Sequence, residues 1–106
     1  MLTRATPHSV NGALLVVSEL VSNAIIHARG PGVLLAWPHD HALRVEVTDR
    51  APDQTPAPRT VPPGSRNGRG LGLVGMISEN WGFTVNRTLA TKTVWADVRL
   101  EPLDGS

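Results

Sequence analysis

Cysteine is missing from all 106 residues, which excludes disulfides, thiolate metal sites and cysteine nucleophiles. A surplus of charge is missing too. The formal net charge is +1 and the arginines are scattered from Arg4 to Arg99. A nucleic-acid partner would call for a concentrated basic surface, so none is expected. The opening MLTRATPHSV has no apolar h-region, and no apolar run approaches the length of a membrane span. The expectation is a cytoplasmic protein without membrane contact. What is present is 41% hydrophobic residues against 18% charged, a balance that folds rather than stays disordered. The length predicts one domain, residues 1–106.

The periodicity predicts a helix over residues 10–28, with Leu14, Val17, Leu20, Val21, Ala24, Ile25 and Ala28 on its apolar face. Glu19, Asn23 and His27 recur at i, i+4, i+8 and stack along a different face. Thr6-Pro7 is one candidate cap and first helical residue; Ser9 or Asn11 capping a shorter helix is the other. Arg29-Gly30-Pro31-Gly32 stops the helix. Residues 33–37 read as a strand, 38–41 as a turn, and LRVEVTD as a second strand, the two forming a hairpin. In that second strand Leu43, Val45 and Val47 share a side, and Asp49 continues their parity. A carboxylate is thereby placed at a strand end on the buried side, which is costly unless it has a partner.

Residues 51–67 are dense in proline and nearly empty of large apolar side chains. They read as a long loop, and long loops in small domains are commonly functional or mobile. Residues 70–80 read as a second helix, and 82–87 with 92–100 as a closing hairpin. Trp37, Trp81 and Trp95 are assigned to core or half-buried packing. The order helix, hairpin, loop, helix, hairpin predicts an α/β two-layer sandwich.

The stretch GRGLGLVG, residues 68–75, satisfies G-x-G-x-x-G from Gly70. A dinucleotide fingerprint needs a strand directly before its first glycine, and here a proline-rich loop precedes it. A Walker loop fails because no Gly-Lys-Ser/Thr follows. Two readings stand: a glycine-rich helix N-terminus that cradles an anion on backbone N–H groups, or close packing and a plain hinge.

Taken together and in order, these segments resemble the GHKL ATPases (gyrase, the heat-shock chaperone, histidine kinases, MutL). Within that group they are most similar to the small anti-sigma-factor serine kinases and their actinobacterial relatives. The resemblance rests on SELVSNAIIHA with Glu19, Asn23 and His27, on Asp49-Arg50-Ala51-Pro52, on Gly68 to Leu73, and on Lys92-Thr93-Val94-Trp95. It implies a Bergerat-type ATP-binding fold, a mixed, mostly antiparallel sheet with helices on one face, and ATP and Mg²⁺ as cofactors. It also implies roles. Glu19 would be general base and Asn23 would place its oxygen on Mg²⁺. Asp49 would accept from the adenine amino group beside Ala51, with Thr93 supporting that contact. Gly68, Arg69, Gly70, Leu71 and Gly72 would hold the phosphates, and residues 52–67 would be the lid.

The likeness is incomplete in three places. Ala51 stands where the family has glycine, which narrows or strains the pocket. The lid has no phenylalanine-containing box, which argues against the histidine-kinase branch. The chain starts almost at the first motif, where the family has a strand and a helix before it; their loss would expose a sheet edge or an apolar face unless a dimer or partner covers it or the sequence is a truncated piece of a longer one. Three functions stay open: an anti-sigma-type regulator phosphorylating a protein on serine or threonine, a partner-binding module with a degenerate nucleotide site, and a simple ATPase. Kinase and ATPase share Glu19 as base, so the sequence does not separate them. The partner expected is a sigma factor or an antagonist-like protein, with a homodimer as a further possibility.

Overall fold

Thr6 and Pro7 start the first helix. In the computed structural model, which describes residues 5–27, 31–53 and 70–103 (for His27, Pro31, Gly70 and Leu71 the backbone alone), helix α1 spans Pro7–His27. The Ser9 N–H donates to Thr6 Oγ1 at 3.3 Å, and proline at the first helical position costs no hydrogen bond. Thr6, not Ser9 or Asn11, is therefore the cap, and α1 begins three residues earlier than its apolar period predicts.

The buried face of α1 is Ala13, Val16, Leu20 and Ala24. The sequence places Leu14 and Ile25 on that face, but they are exposed. Apolar residues run nearly all round α1, so its own moment does not select a face. The face carrying Ala13 and Ala24 lets the helix settle close to the sheet, and Gly12 lets it approach the second helix, where an added Cβ would lie only 3.3 Å from Ile77. The expectation that no apolar run approaches a membrane span also needs correcting. Pro7–Ile26 is long and apolar enough by length and composition. Here its Ala13–Ala24 face lies on the sheet.

The other elements are β1 (Pro31–His39), β2 (Ala42–Asp49), α2 (Gly70–Ile77), β3 (Asn80–Asn86) and β4 (Thr91–Arg99). They form one antiparallel sheet in the order β1-β2-β4-β3. Both hairpins form as the sequence predicts, and all pairings among the described residues are antiparallel. The α/β sandwich is the architecture, with α1 and α2 on one face. Val45 and Val47 of β2 and Val94, Ala96 and Val98 of β4 meet Val16, Leu20 and Val74 in the core. α2 ends at Ile77, short of the predicted 80, because the Glu79 N–H already donates to Asp97 O (2.8 Å) and Asn80 enters β3.

β1 is an edge strand with Val33, Leu34, Leu35 and Trp37 exposed, so Trp37 is not the core or half-buried residue its type suggests. At its start the register slips beside Gly32, where any Cβ would lie 2.2 Å from Thr48 O; only glycine fits that bulge. Asp40 and Ala90 sit at φ 56° and 54° in the hairpin turns. Aspartate tolerates that region, whereas alanine gains nothing there. Ala90→Gly is expected to stabilise the protein by about 0.5–1 kcal/mol, read as a higher urea midpoint with unchanged slope.

The helix-free face of the sheet carries an ion-pair network. Arg44 donates from Nε to Asp97 Oδ1 and from Nη2 to Oδ2 at 3.0 Å, while its guanidinium lies 4.4 Å from the Trp95 ring centroid. The hydrogen bonds from Arg44 hold the Asp97 carboxyl below its ordinary value against the opposing effect of burial, and the same bonds raise Arg44. A depressed carboxylate stabilises the fold above its unfolded pKa and loses that contribution as pH falls through its folded value. Asp97→Asn should therefore cost about 1–3 kcal/mol at pH 7. The gap between variant and wild type should close as the pH drops below about 4, checked by urea midpoints at pH 7 and pH 3.

Candidate functional site

Three features bear on a site, the Glu19–Asn23 face of α1, Asp49 at the end of β2 and the glycine-bearing start of α2, and the anchoring of α1 sets where the first of them lies. The Thr6 N–H donates to Glu101 O at 2.7 Å, and the Glu101 N–H donates to Ser9 Oγ at 3.2 Å. Glu101 follows β4, so α1 starts at the C-terminal end of that strand. It then runs back along the sheet for about 30 Å, matching the length of nine-residue β4. The Glu19–Asn23 half of α1 is thereby carried toward the end of β2 and the start of β4. Glu19 and Asn23 are half-buried there, one turn apart.

α2 is held at its other end. Ile77 abuts Gly12 near the start of α1, and Glu79 is tied to Asp97. Gly70 and Gly72 lie at the opposite end of α2 from this anchor. A helix N-terminus presents N–H groups without intrahelical partners and a dipole that favours an anion. The glycines of α2 divide by role. A Cβ on Gly75 would press to 3.3 Å of Trp81 Nε1, so that glycine serves packing. A Cβ on Gly72 would meet nothing within 4 Å, so among the described residues no neighbour demands glycine there. Gly68 and Arg69 lie outside the described residues, as does the loop over 54–67.

Asp49 closes β2 on the helix side and is 3% exposed. Its Oδ1 accepts from the Ala51 N–H at 2.9 Å, and its Oδ2 lies 3.3 Å from Lys92 Nζ. Ala51, half-buried, thus braces the carboxylate through its backbone. Thr93 does not join this group. The register pairs Asp49 with Lys92 and Thr48 with Thr93, and strand alternation sends the two threonines to the helix-free face, where their hydroxyls are 2.7 Å apart. The role expected of Thr93 beside Asp49 is therefore corrected: the β4 residue at the carboxylate is Lys92. Sequence reasoning missed it, although Lys92 shares the parity of Val94, Ala96 and Val98, and that parity was the available signal.

An open groove of about 480 Å³ bordered by His8, Gly12, Leu15, Met76 and Arg99 lies at the other end of α1 and holds none of these residues. Among the described residues no cluster of three or more His, Asp or Glu side chains offers a protein-only metal site. Asn23 supplies one hard oxygen, which suits a Mg²⁺ ion that takes its remaining ligands from phosphates and water.

Four antiparallel strands under two helices define a two-layer α/β domain. The sequence matches the family model of the histidine kinase-like ATPase domain over residues 3–96, and the chain belongs to that family. Membership supports ATP binding and a regulatory role. No curated protein and no solved structure gives a significant match.

Proposed function

We propose that this chain binds ATP with Mg²⁺ and acts on a protein partner in the manner of the anti-sigma-factor kinases, phosphorylating it on serine or threonine or holding it in a nucleotide-dependent complex. The observation that carries this reading is the buried carboxylate of Asp49 at the end of β2 in a chain of the histidine kinase-like ATPase family, and the half-buried Glu19–Asn23 face supports it. Asp49 accepts from the adenine amino group. Asn23 holds Mg²⁺, which when bound offsets phosphate charge. The N-terminus of α2 receives the phosphates. Glu19 takes the proton from the attacking hydroxyl of the partner, or from water if the chain is an ATPase. The exposed apolar residues of α1 and β1, Leu14, Ile25, Ile26 and Leu34 among them, are the surface we assign to the partner.

A second reading, partner capture without nucleotide turnover, draws on the state of Asp49, whose two oxygens already face Ala51 N–H and Lys92. Calorimetric titration separates the two. Saturable, Mg²⁺-dependent ATP binding that weakens at least about tenfold in Asn23→Ala supports the nucleotide reading. No saturation up to about 1 mM ATP leaves partner capture as the function. Transfer of labelled γ-phosphate to a partner, absent in Glu19→Ala, then distinguishes kinase from ATPase.

A further inference from the structure

Lys92 is the one buried lysine beside the candidate site among the described residues, and nothing in the scheme above uses it. Its side chain is 5% exposed and that of Asp49 4%, with Nζ and Oδ2 3.3 Å apart. The β2–β4 register makes the two residues direct cross-strand partners on the helix side. We propose that Lys92 is a specificity-determining residue for the base: its ammonium donates to the ring nitrogen N1 of the same adenine whose exocyclic amino group donates to Asp49. This rests on the reading that Asp49 holds the base.

The argument is one of reach and complementarity. Each carboxylate oxygen accepts at two positions, so the bonds to Ala51 and Lys92 leave Asp49 able to take an amino group. A base that arrives within hydrogen-bond distance of Asp49 arrives within reach of an ammonium only 3.3 Å from it. An ionised carboxylate only accepts and an ammonium only donates. Side by side they present an acceptor and a donor. Adenine presents the mirror pattern on adjacent atoms, the N6 amino donor and the N1 acceptor. A guanine placed the same way would set its O6 against Asp49 and its N1–H against Lys92, reversing both contacts. A carboxylate alone reads only one of these positions. Enclosure sharpens the reading, because a mismatched group at a buried pair finds no water to satisfy it.

The test uses the wild-type chain, so it does not depend on a variant folding. ATP, 1-deaza-ATP (N1 replaced by C–H) and 7-deaza-ATP are titrated with Mg²⁺. A direct Lys92–N1 bond predicts that 1-deaza-ATP binds about tenfold or more weakly than ATP, while 7-deaza-ATP stays within about threefold. In Lys92→Met, wherever it remains folded by circular dichroism, ATP and 1-deaza-ATP should bind alike. Binding of 1-deaza-ATP to the wild type within about threefold of ATP overturns the proposal and leaves Lys92 with a structural role beside Asp49. If ATP itself does not saturate the wild type, the nucleotide reading of the site is overturned, and this one with it.

Discussion

Asp49→Ala is expected to lower stability by about 3–5 kcal/mol and to abolish ATP binding together. The size of the first effect follows from the pair it breaks. Both side chains of Asp49–Lys92 are about 95% buried, so deleting the carboxylate leaves a buried ammonium without its carboxylate. In a domain of this size about 1 kcal/mol moves the melting temperature by roughly 4–8 °C, so the single variant should melt at least about 12 °C lower. The two effects are separable. Replacing both partners with apolar residues, Asp49→Leu with Lys92→Met, removes the stranded charge as well as the pair and should recover most of the lost stability. It should not recover binding, because the acceptor for the base is gone. Thermal melts and ATP titrations on the single and double variants check both halves. A single variant that loses less than about 1 kcal/mol would mean that water reaches the pair, contrary to its enclosure.

Leu20→Ala is expected to cost about 3–5 kcal/mol, while Leu14→Ala should change stability by no more than about 0.5 kcal/mol. Both leucines lie on α1, and the apolar period of the sequence puts both on its core face. In the fold Leu20 is 2% exposed among Val16, Ala24, Val45, Val47 and Val94, whereas Leu14 is 61% exposed. Truncating Leu20 leaves a cavity that neighbouring strands cannot close, because strand spacing is set by backbone hydrogen bonds. Truncating Leu14 removes only surface atoms and substitutes the best helix former. Urea denaturation of the two variants side by side measures the difference. Equal losses would mean that α1 sits on the sheet by the other face.

Those two leucines also mark where reading the chain residue by residue loses its hold. The presence of α1 follows from its periodicity, and its start from Thr6-Pro7, since capping and proline geometry are local. Its facing is not local. An apolar band that goes nearly all round a helix has no preferred side until a neighbour supplies one, and here the close approach of Gly12 to Ile77 does so. The candidate site divides the same way. Glu19 and Asn23 share a face because they are four apart, and Asp49 is buried because it follows the parity of Val45 and Val47. Gly72 and Gly75 look alike in the motif. Only their surroundings distinguish the glycine with open space from the one packed on Trp81.

Local rules therefore suffice for the set of elements, their two hairpins and the residue types at the candidate site, because helical period, strand alternation, caps and turns act over a few residues. Which hairpin strands meet in the middle of the sheet is set by long-range packing. Placing β4 beside β2 is a long-range choice, driven by burying Val94, Ala96 and Val98 next to Val45 and Val47 under α1. Because side chains alternate along a strand, the register of that pairing settles the rest: Lys92 comes to face Asp49, and Thr93 goes to Thr48 on the other side of the sheet.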